Sequence, residues 1–513
     1  MATRSYQDAV ESLNSLQSNA ATLEAVRASG GRSSAFAIPE MLEYLEIIGY
    51  KPEDLNALKV IHITGTKGKG STSAFTESII RQAMPGWKIG LYTSPHLVAV
   101  RERIRINGAP LSESEFAKYY FEIWDRLLTN KKKKSPTTPD MPGYFRFITL
   151  MAYHVFLEHK VDATVLEVGV GGTYDSTNIV PKPIVTGITA LGIDHVNVLG
   201  RTIEEIAWQK GGIFKRDVPA FTVEQPKEGM DILRSRAVEL KASSLDIVPI
   251  NPEIAEMETR GLKLGLAGVH QKQNASLAIA LAKSFIQTML ETSLEADHIP
   301  GPFKRGLVTT KWPGRCQTVV DPVRPNFTWY LDGAHTLESL DCCIQWFVSP
   351  GIGLTITPET VSTKPFKRYL VFNCTSGRSG GSFLKKVKDS IRHELWVHNR
   401  DAEDDPMFFD HVIFCSNMTY ADGHFKGDLT TKALSDSELA ELKAQYALAS
   451  AWASLFPSFP GENIHVLPSI EHAVQVVEKV QICSGVPART LVAGSLHLVG
   501  GVVEVAGLSD AVL

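Results

Sequence analysis

No stretch of this sequence stays apolar for long enough to cross a bilayer. The best candidate, residues 489–507, is interrupted by Ser495, His497 and Glu504. The opening "MATRSYQDAVESLNSLQ" lacks the apolar core of a secretory leader, and Asp8 and Glu11 argue against a transit peptide. No two cysteines form a C-x-x-C pair. All six (Cys316, Cys342, Cys343, Cys374, Cys415, Cys483) lie in the second half, so neither a zinc site nor a disulfide framework is indicated. An excess of one charge is missing too. A net charge of −4, with 21% charged residues, gives no reason to expect nucleic acid or an anionic membrane as the main partner. The expectation is a soluble protein of the cell interior, cytoplasmic with a mitochondrial pool allowed, its cysteines small buried apolar residues.

At 513 residues the chain exceeds what one hydrophobic core covers, so two or three domains are expected. Short Val- and Ile-rich runs, "LKVIHIT" (58–64), "KIGLYT" (88–93), "DATVLEV" (162–168), "PIVTGIT" (183–189) and "VPAFTV" (218–223), end in glycine or polar residues. Helical segments separate several of them, which predicts a mainly parallel sheet with helices on both faces. A second such series follows "TTKWPGRCQTV" (309–319), running through "NFTWYLDGAHTLESL", "RYLVFNCTSGRSGG", "HVIFCSN", "NIHVLPS" and "RTLVAGSLHL". Two α/β domains are therefore expected, 1–308 and 309–513. The Pro- and Thr-rich "TNKKKKSPTTPDMPG" (129–143) reads as a flexible surface insertion.

Chemistry gathers at strand ends, where open α/β sheets bind ligands. "ITGTKGKGST" (63–72) resembles a phosphate loop with altered spacing: Ile63 stands where a first glycine is usual, and the hydroxyl of Ser71 arrives one place late. Gly65, Gly68 and Gly70 permit the curl, Lys69 supplies a cation, and the helix is expected to begin at Ser71 and Thr72. The bland alternative is a glycine turn with a surface lysine. Glu167 interrupts an apolar strand at its carboxyl end, fitting a Mg²⁺ ligand or an ion-paired structural carboxylate. Asp194 and His195 end another strand. A lone histidine is usually structural, but beside Lys69, Ser71 and Glu167 an oxygen-rich Mg²⁺ site with one imidazole is feasible. In "TSPHLVAVRERIRING" (93–108) the alternating Arg101, Arg103 and Arg105 most simply form the polar face of a strand, with an anionic substrate as the alternative. Lys210, late in the helix "TIEEIAWQKGGIFK", is by itself a surface lysine favoured by the helix dipole. Asp332 and His335 follow a strand of the second series, and Arg315 lies at the boundary.

In order along the chain, "ITGTKGKGST", "TSPHLVAVRERIRING", "LEVGVGGTYDSTN", "GIDHVNVLG", "IAWQKGGIFK", "WPGRCQ", "LDGAHT" and "GSLHLVGG" resemble the folylpolyglutamate synthases of eukaryotic type, within the Mur ligase superfamily. That resemblance implies a Mur-ligase-like P-loop ATPase domain with a mainly parallel sheet, followed by a smaller Rossmann-like α/β domain. It implies ATP-dependent joining of L-glutamate to the γ-carboxylate of tetrahydrofolate (poly)glutamates through an acyl phosphate. Gly65, Thr66, Lys67, Gly68, Lys69, Gly70 and Ser71 would form the triphosphate cradle, and Ser94, Glu167 and His195 the Mg²⁺ ligands. Asn274 would contact adenine, and Arg315 and Asp332 the nucleotide from the hinge and second domain. Lys69, Lys210 and His335 would be catalytic, with Lys210 carbamylated to hold a second Mg²⁺ and a monovalent cation allowed. A monomer is implied.

Bacterial members carry arginine within "GGR-x-D-A-T-N" where this chain has Thr173, so substrate contacts inferred from them are in doubt here. Residues recognising the incoming glutamate stay open. Dihydrofolate synthase, the same reaction on dihydropteroate, shares these motifs. A non-enzymatic nucleotide-binding module is the alternative of another class, opposed by the second α/β series. A GTPase is excluded by the lack of an N-K-x-D motif.

Overall fold

The computed structural model describes residues 4–17, 36–130, 138–295, 298–356, 366–374, 380–400, 408–422, 427–429 and 442–512. The chain divides into two compact units. The first comprises Met1–His96, Val100–Gly265 and Gln271–Lys311; the second comprises Leu97–Ala99, Leu266–His270 and Trp312–Leu513.

The first unit is built on eight strands: β1 (Val60–Thr64), β2 (Ile89–Tyr92), β3 (Ile104–Ile106), β4 (Ala109–Pro110), β5 (Ala163–Glu167), β6 (Val185–Ile188), β7 (Pro219–Thr222) and β8 (Ser244–Ile247). Their order is β4-β3-β2-β5-β1-β6-β7-β8. From β2 to β8 every neighbouring pair is parallel, while β3 and β4 form an antiparallel edge. Every residue of β1, β2, β5 and β6 is buried, as expected for strands covered on both faces, which is why they read as apolar runs without alternation. Three helices position the site: α1 (Lys69–Ala83), α2 (Ile203–Gly211) and α3 (Gln271–Leu290). Helix α1 begins at Lys69, two residues earlier than expected, because Gly68 takes the left-handed N-cap conformation (φ 87°). Residues Ser71 to Ile80 of α1 are all buried, since α3 and the helix Gly301–Thr309 both pack on it.

The arginines of "RERIRI" do not form a strand face. Arg101 and Arg103 lie in a 3₁₀ turn, Val100–Arg103, and only Ile104–Ile106 is strand. Arg105 is buried and donates to the carbonyls of Glu102 (3.1 Å) and Gly108 (3.2 Å). Arg101 donates to the Leu111 carbonyl (3.0 Å) and Arg103 to His96 Nδ1 (3.0 Å), so the three guanidiniums brace the loop. Residues 131–137 of the lysine-rich stretch lie outside the described residues. Directly after them the chain is pinned, not free: Thr138 is buried and donates to Glu43 (2.7 Å), and the Tyr44 hydroxyl donates to the Pro139 carbonyl (2.9 Å).

The second unit holds β9 (Gln317–Val320), β10 (Phe327–Leu331), β11 (Lys367–Phe372), β12 (His411–Cys415), β13 (Ile464–Leu467) and β14 (Ala488–Ala493), in the order β13-β12-β11-β14-β10-β9. All neighbours are parallel except β9 against β10. Three of its helices are α4 (Leu337–Phe347), α5 (Lys443–Leu455) and α6 (Leu496–Val505). Leu97 and Val98 join its core with Trp329, Val371 and Leu498. Each such side chain contributes about 1.5–3 kcal/mol when fully buried, which accounts for the capture of so short a segment.

Candidate active site

The loop after β1 is shaped by β6, its neighbour in the sheet. The N–H groups of Thr66 and Lys67 both donate to the Ala190 carbonyl, at 2.9 and 3.1 Å. The Thr189 hydroxyl donates to the Lys67 carbonyl (2.5 Å), and the Thr66 hydroxyl to that of Gly192 (3.1 Å). A side chain at Gly65 (φ 151°) would collide with Thr189, and one at Gly68 with the amide of Asn274. These two glycines are therefore required by close approach as well as by backbone conformation. The first backbone bond of α1 runs from Thr72 N–H to the Gly68 carbonyl (2.8 Å), so the N–H groups of Lys69, Gly70 and Ser71 precede the helical ladder.

Two lysines meet on one atom. Lys69 Nζ donates to the Gly65 carbonyl at 2.9 Å, and Lys210 Nζ, from α2, donates to the same oxygen at 2.7 Å. Lys210 is only 3% exposed, so it is not the surface lysine that its helix pattern suggests. Burial, then the charge of Lys69, pushes the Lys210 ammonium well below the ordinary lysine range. The two nitrogens stand within about 6 Å of each other. Like charges at that separation repel by about 3 kcal/mol at an effective dielectric of about 20. Burial and this repulsion both disfavour the charged form of Lys210.

Glu167, at the carboxyl end of β5, is buried and accepts the Ser94 N–H at 2.9 Å, which brings together two of the three expected metal ligands. His195 stands in the loop after β6 with a left-handed backbone (φ 50°). Burial, opposed by Asp194 but reinforced by Lys69, Lys210 and Lys67, holds its imidazole below the usual range. Burial pushes Asp194 upward, but Lys67 and His195 overcome this and hold its carboxyl at about 2. The Lys67–Asp194 ion pair measures 3.1 Å. Among the described residues no three His, Cys, Asp or Glu side chains converge as a metal cage. A set of one carboxylate, one imidazole and one hydroxyl falls below that count, and suits a cation that keeps most of its waters.

Asn274 lies in the first turn of α3 against Gly68 and donates to Gln271 (2.9 Å), whose amide donates to the Ser71 hydroxyl (3.3 Å). Gln271 was not marked by any sequence pattern. Thr173, in the position of the bacterial arginine, caps the end of α2 instead: its N–H and hydroxyl both donate to the Gln209 carbonyl, at 2.8 and 3.0 Å.

In the second unit Asp332 follows β10 and is buried. Its oxygens accept the N–H of Cys316 (2.7 Å) and of Ala334 (2.8 Å). Arg315 donates to the Gly314 carbonyl (3.0 Å) and packs against Gly333. His335 Nδ1 lies 2.8 Å from the Gly333 carbonyl, so that nitrogen carries the proton. His270 joins this group. Burial depresses its imidazole, with Asp332 and Arg315 its charged neighbours. It belongs to Leu266–His270, a segment 45 residues earlier in sequence than Arg315, and no motif signalled it.

The Mur ligase middle domain model matches residues 63–282. Among curated proteins, folylpolyglutamate synthases of Saccharomyces cerevisiae strains AWRI796 and S288c are each 43% identical to this chain over 518 residues, covering 98% of it and 87% of their own length. Among solved structures, a Mycobacterium tuberculosis folylpolyglutamate synthase complexed with ADP and AMPPCP superposes with a TM-score of 0.66 at 23% identity. It covers 92% of this chain and 95% of its own. The apo form of the L. casei enzyme gives 0.63 at 20% identity, covering 98% and 99%. These solved structures share the fold, two mainly parallel α/β sheets in one chain. With 43% identity sustained over nearly its whole length, the chain belongs to the folylpolyglutamate synthase family.

Proposed function

We propose that this protein is an ATP-dependent ligase that joins the amine of L-glutamate to the γ-carboxylate of a folate (poly)glutamate. Its first unit handles ATP and the folate carboxylate; its second handles glutamate. The observation that supports this best is the convergence of Lys69 and Lys210 on Gly65, beside Glu167 and Ser94. It is a cationic, glycine-lined strand end of the kind that a triphosphate needs. A carboxylate is a poor electrophile because attack by an amine would have to expel an oxide. Transfer of the γ-phosphoryl group to the carboxylate gives an acyl phosphate and ADP; the amine then attacks, and phosphate leaves.

In this reading Lys69 turns from Gly65 to the β/γ-phosphates, and the N–H groups that open α1 line the cradle. Thr66 and Lys67 serve the nucleotide indirectly, since their N–H groups are held by Ala190. The site fits Mg²⁺: Glu167 is fixed by a backbone donor, and Ser94 and His195 offer an oxygen and an imidazole. When bound, Mg²⁺ would neutralise phosphate charge. Burial disfavours the Lys210 ammonium; a neutral lysine adds carbon dioxide, forming an N–C bond and releasing a proton, and the resulting carbamate would attract Lys69 instead of repelling it. Asp332 and Arg315 are assigned to the nucleotide and His335 to phosphate or glutamate.

The test is ADP release from the purified chain with ATP, Mg²⁺ and L-glutamate, offering tetrahydrofolate monoglutamate and dihydropteroate separately and reading product masses. One added glutamate on tetrahydrofolate alone is expected. Product from dihydropteroate would move the assignment to a dihydrofolate synthase or a dual enzyme.

A further inference from the structure

Of the three expected metal ligands, His195 stands in the most open surroundings: Ile193, Val196 and Val198, its neighbours in the chain, are all exposed. Glu167 and Ser94 hold each other through a backbone bond. His195 has instead a left-handed backbone (φ 50°), which a residue with a Cβ adopts only where its surroundings enforce it. What enforces it here is one carboxylate. Asp194 Oδ1 accepts the His195 N–H (2.8 Å), and Oδ2 accepts Lys67 Nζ (3.1 Å).

The segment has few other supports. The His195 carbonyl accepts the N–H groups of Val198 (2.8 Å) and Leu199 (3.0 Å), and the Val196 carbonyl that of Gly200 (3.3 Å). Those bonds stay inside a single turn. Among the described residues, the Lys67–Asp194 pair is the only hydrogen bond or ion pair that leaves residues 193–200. Leu199 is the first buried side chain beyond His195, so apolar packing takes over only after the ligand has passed.

The other end of this tether is fixed. The Lys67 N–H donates to the Ala190 carbonyl and its own carbonyl accepts the Thr189 hydroxyl, so the side chain starts from a set point. Lys69, two residues on, donates to Gly65. The glycine loop therefore carries two lysines on different partners: Lys69 stays within the loop, and Lys67 crosses to the loop that bears His195. Pre-placing a ligand reduces the ordering that a metal must impose when it binds. A part-exposed ion pair adds little to global stability, so its loss should show in the metal and not in the fold.

We propose that Lys67 is a positioning residue for the metal: through Asp194 it holds the His195 imidazole ready for a divalent cation, an assignment that rests on the ligase reading. Lys67 itself touches neither metal nor nucleotide. The experiment titrates Mn²⁺, a paramagnetic stand-in for Mg²⁺, into the full chain without nucleotide and reads free Mn²⁺ by electron paramagnetic resonance. The unaltered protein is compared with His195→Ala, Lys67→Met, Asp194→Asn, the Lys67→Met/Asp194→Asn double variant and Lys67→Arg. Calorimetric ADP binding in EDTA and the thermal midpoint are measured on each.

Lys67→Met is expected to weaken Mn²⁺ binding about tenfold, the scale of one backbone conformation no longer enforced, with ADP affinity in EDTA and thermal midpoint nearly unchanged. Asp194→Asn should match it. The double variant should be no worse than either single change, because both break the same link. Lys67→Arg, which can span to the same carboxylate, should restore most of the affinity. Unchanged Mn²⁺ binding in folded Lys67→Met overturns the proposal, as do additive losses in the double variant. An equal loss of ADP affinity in EDTA would overturn it too, by putting Lys67 on the phosphates. If Lys67→Met fails to fold, Asp194→Asn decides in the same way. Should the unaltered chain bind Mn²⁺ no more tightly than His195→Ala, the metal assignment and the proposal fall together. A chain that does not ligate glutamate, yet whose Mn²⁺ affinity follows Lys67 and His195, would lose the ligase reading and keep the positioning role.

Discussion

Lys69 and Lys210 share the Gly65 carbonyl, and they should fail differently when altered. Lys69→Ala removes the half-buried cation of the pair. Turnover is expected to fall by at least about a thousandfold, with thermal midpoint nearly unchanged, because phosphoryl transfer depends on charge neutralisation. Normal ligation by folded Lys69→Ala would sink the phosphate assignment. Glu167→Gln keeps an oxygen for the Ser94 N–H but loses a charge, so the fold should persist while the Mg²⁺ needed for half-maximal rate rises severalfold. A Mg²⁺ titration checks it, and an unmoved midpoint would take Glu167 out of the metal shell. Glu167 was legible in sequence because a carboxylate breaking an apolar strand is costly and conspicuous. Lys210 was not. Its helix carries charged residues at Glu204 and Glu205, and a lysine near a helix end reads as solvated; its burial comes from the tertiary packing of α2.

At the scale of elements, the strand–loop–helix around Gly65 and Gly68 was legible from apolar runs and glycine spacing, whereas the side chains that enclose it were not. Thr189, Ala190 and Asn274 lie more than 100 residues away in sequence, and only sheet order and α3 packing bring them in. Gly68→Ala should therefore raise the KM for ATP by at least tenfold, through collision with Asn274 and an unfavourable φ. Adding Asn274→Ala should recover part of that loss by opening the space; no recovery would leave backbone conformation as the whole cause. The "RERIRI" segment misled for a related reason. Alternation of charged and apolar residues predicts a strand face, but here Arg103 is buried against His96 Nδ1 and Arg105 against the Glu102 and Gly108 carbonyls, which period alone does not encode.

For the whole molecule, each unit buries a histidine that resists protonation. His62, on β1, lies 2.9 Å from the Thr177 hydroxyl. Burial, with a smaller effect of Lys215, lowers it to about 3. Burial, then His465 and Lys367, with Asp410 opposing, lowers His411 on β12 to about 4. Unfolded histidines titrate near 6.5. Above that pH both states are neutral and the stability is fully present. As pH falls from about 6.5 towards 4 the unfolded chain takes up protons that the native state refuses, and stability drops by up to about 1.4 kcal/mol per pH unit for each histidine. Denaturant titrations at pH 7.5, 6.5, 5.5 and 4.5 should show both units weakening below 6.5; flat stability over that range would contradict the buried neutral state.

The bonds from Thr66 and Lys67 to Ala190 bear on whether the glycine loop is transferable. Its floor belongs to β6 and its wall to α3, so the ten residues of "ITGTKGKGST" do not carry their own shape. Grafted between a strand and a helix of another protein, they would bring the lysine and the glycines without the surfaces that curl them. A scaffold chosen to receive this loop would need its next parallel strand to end in a small, carbonyl-presenting turn at the height of Ala190.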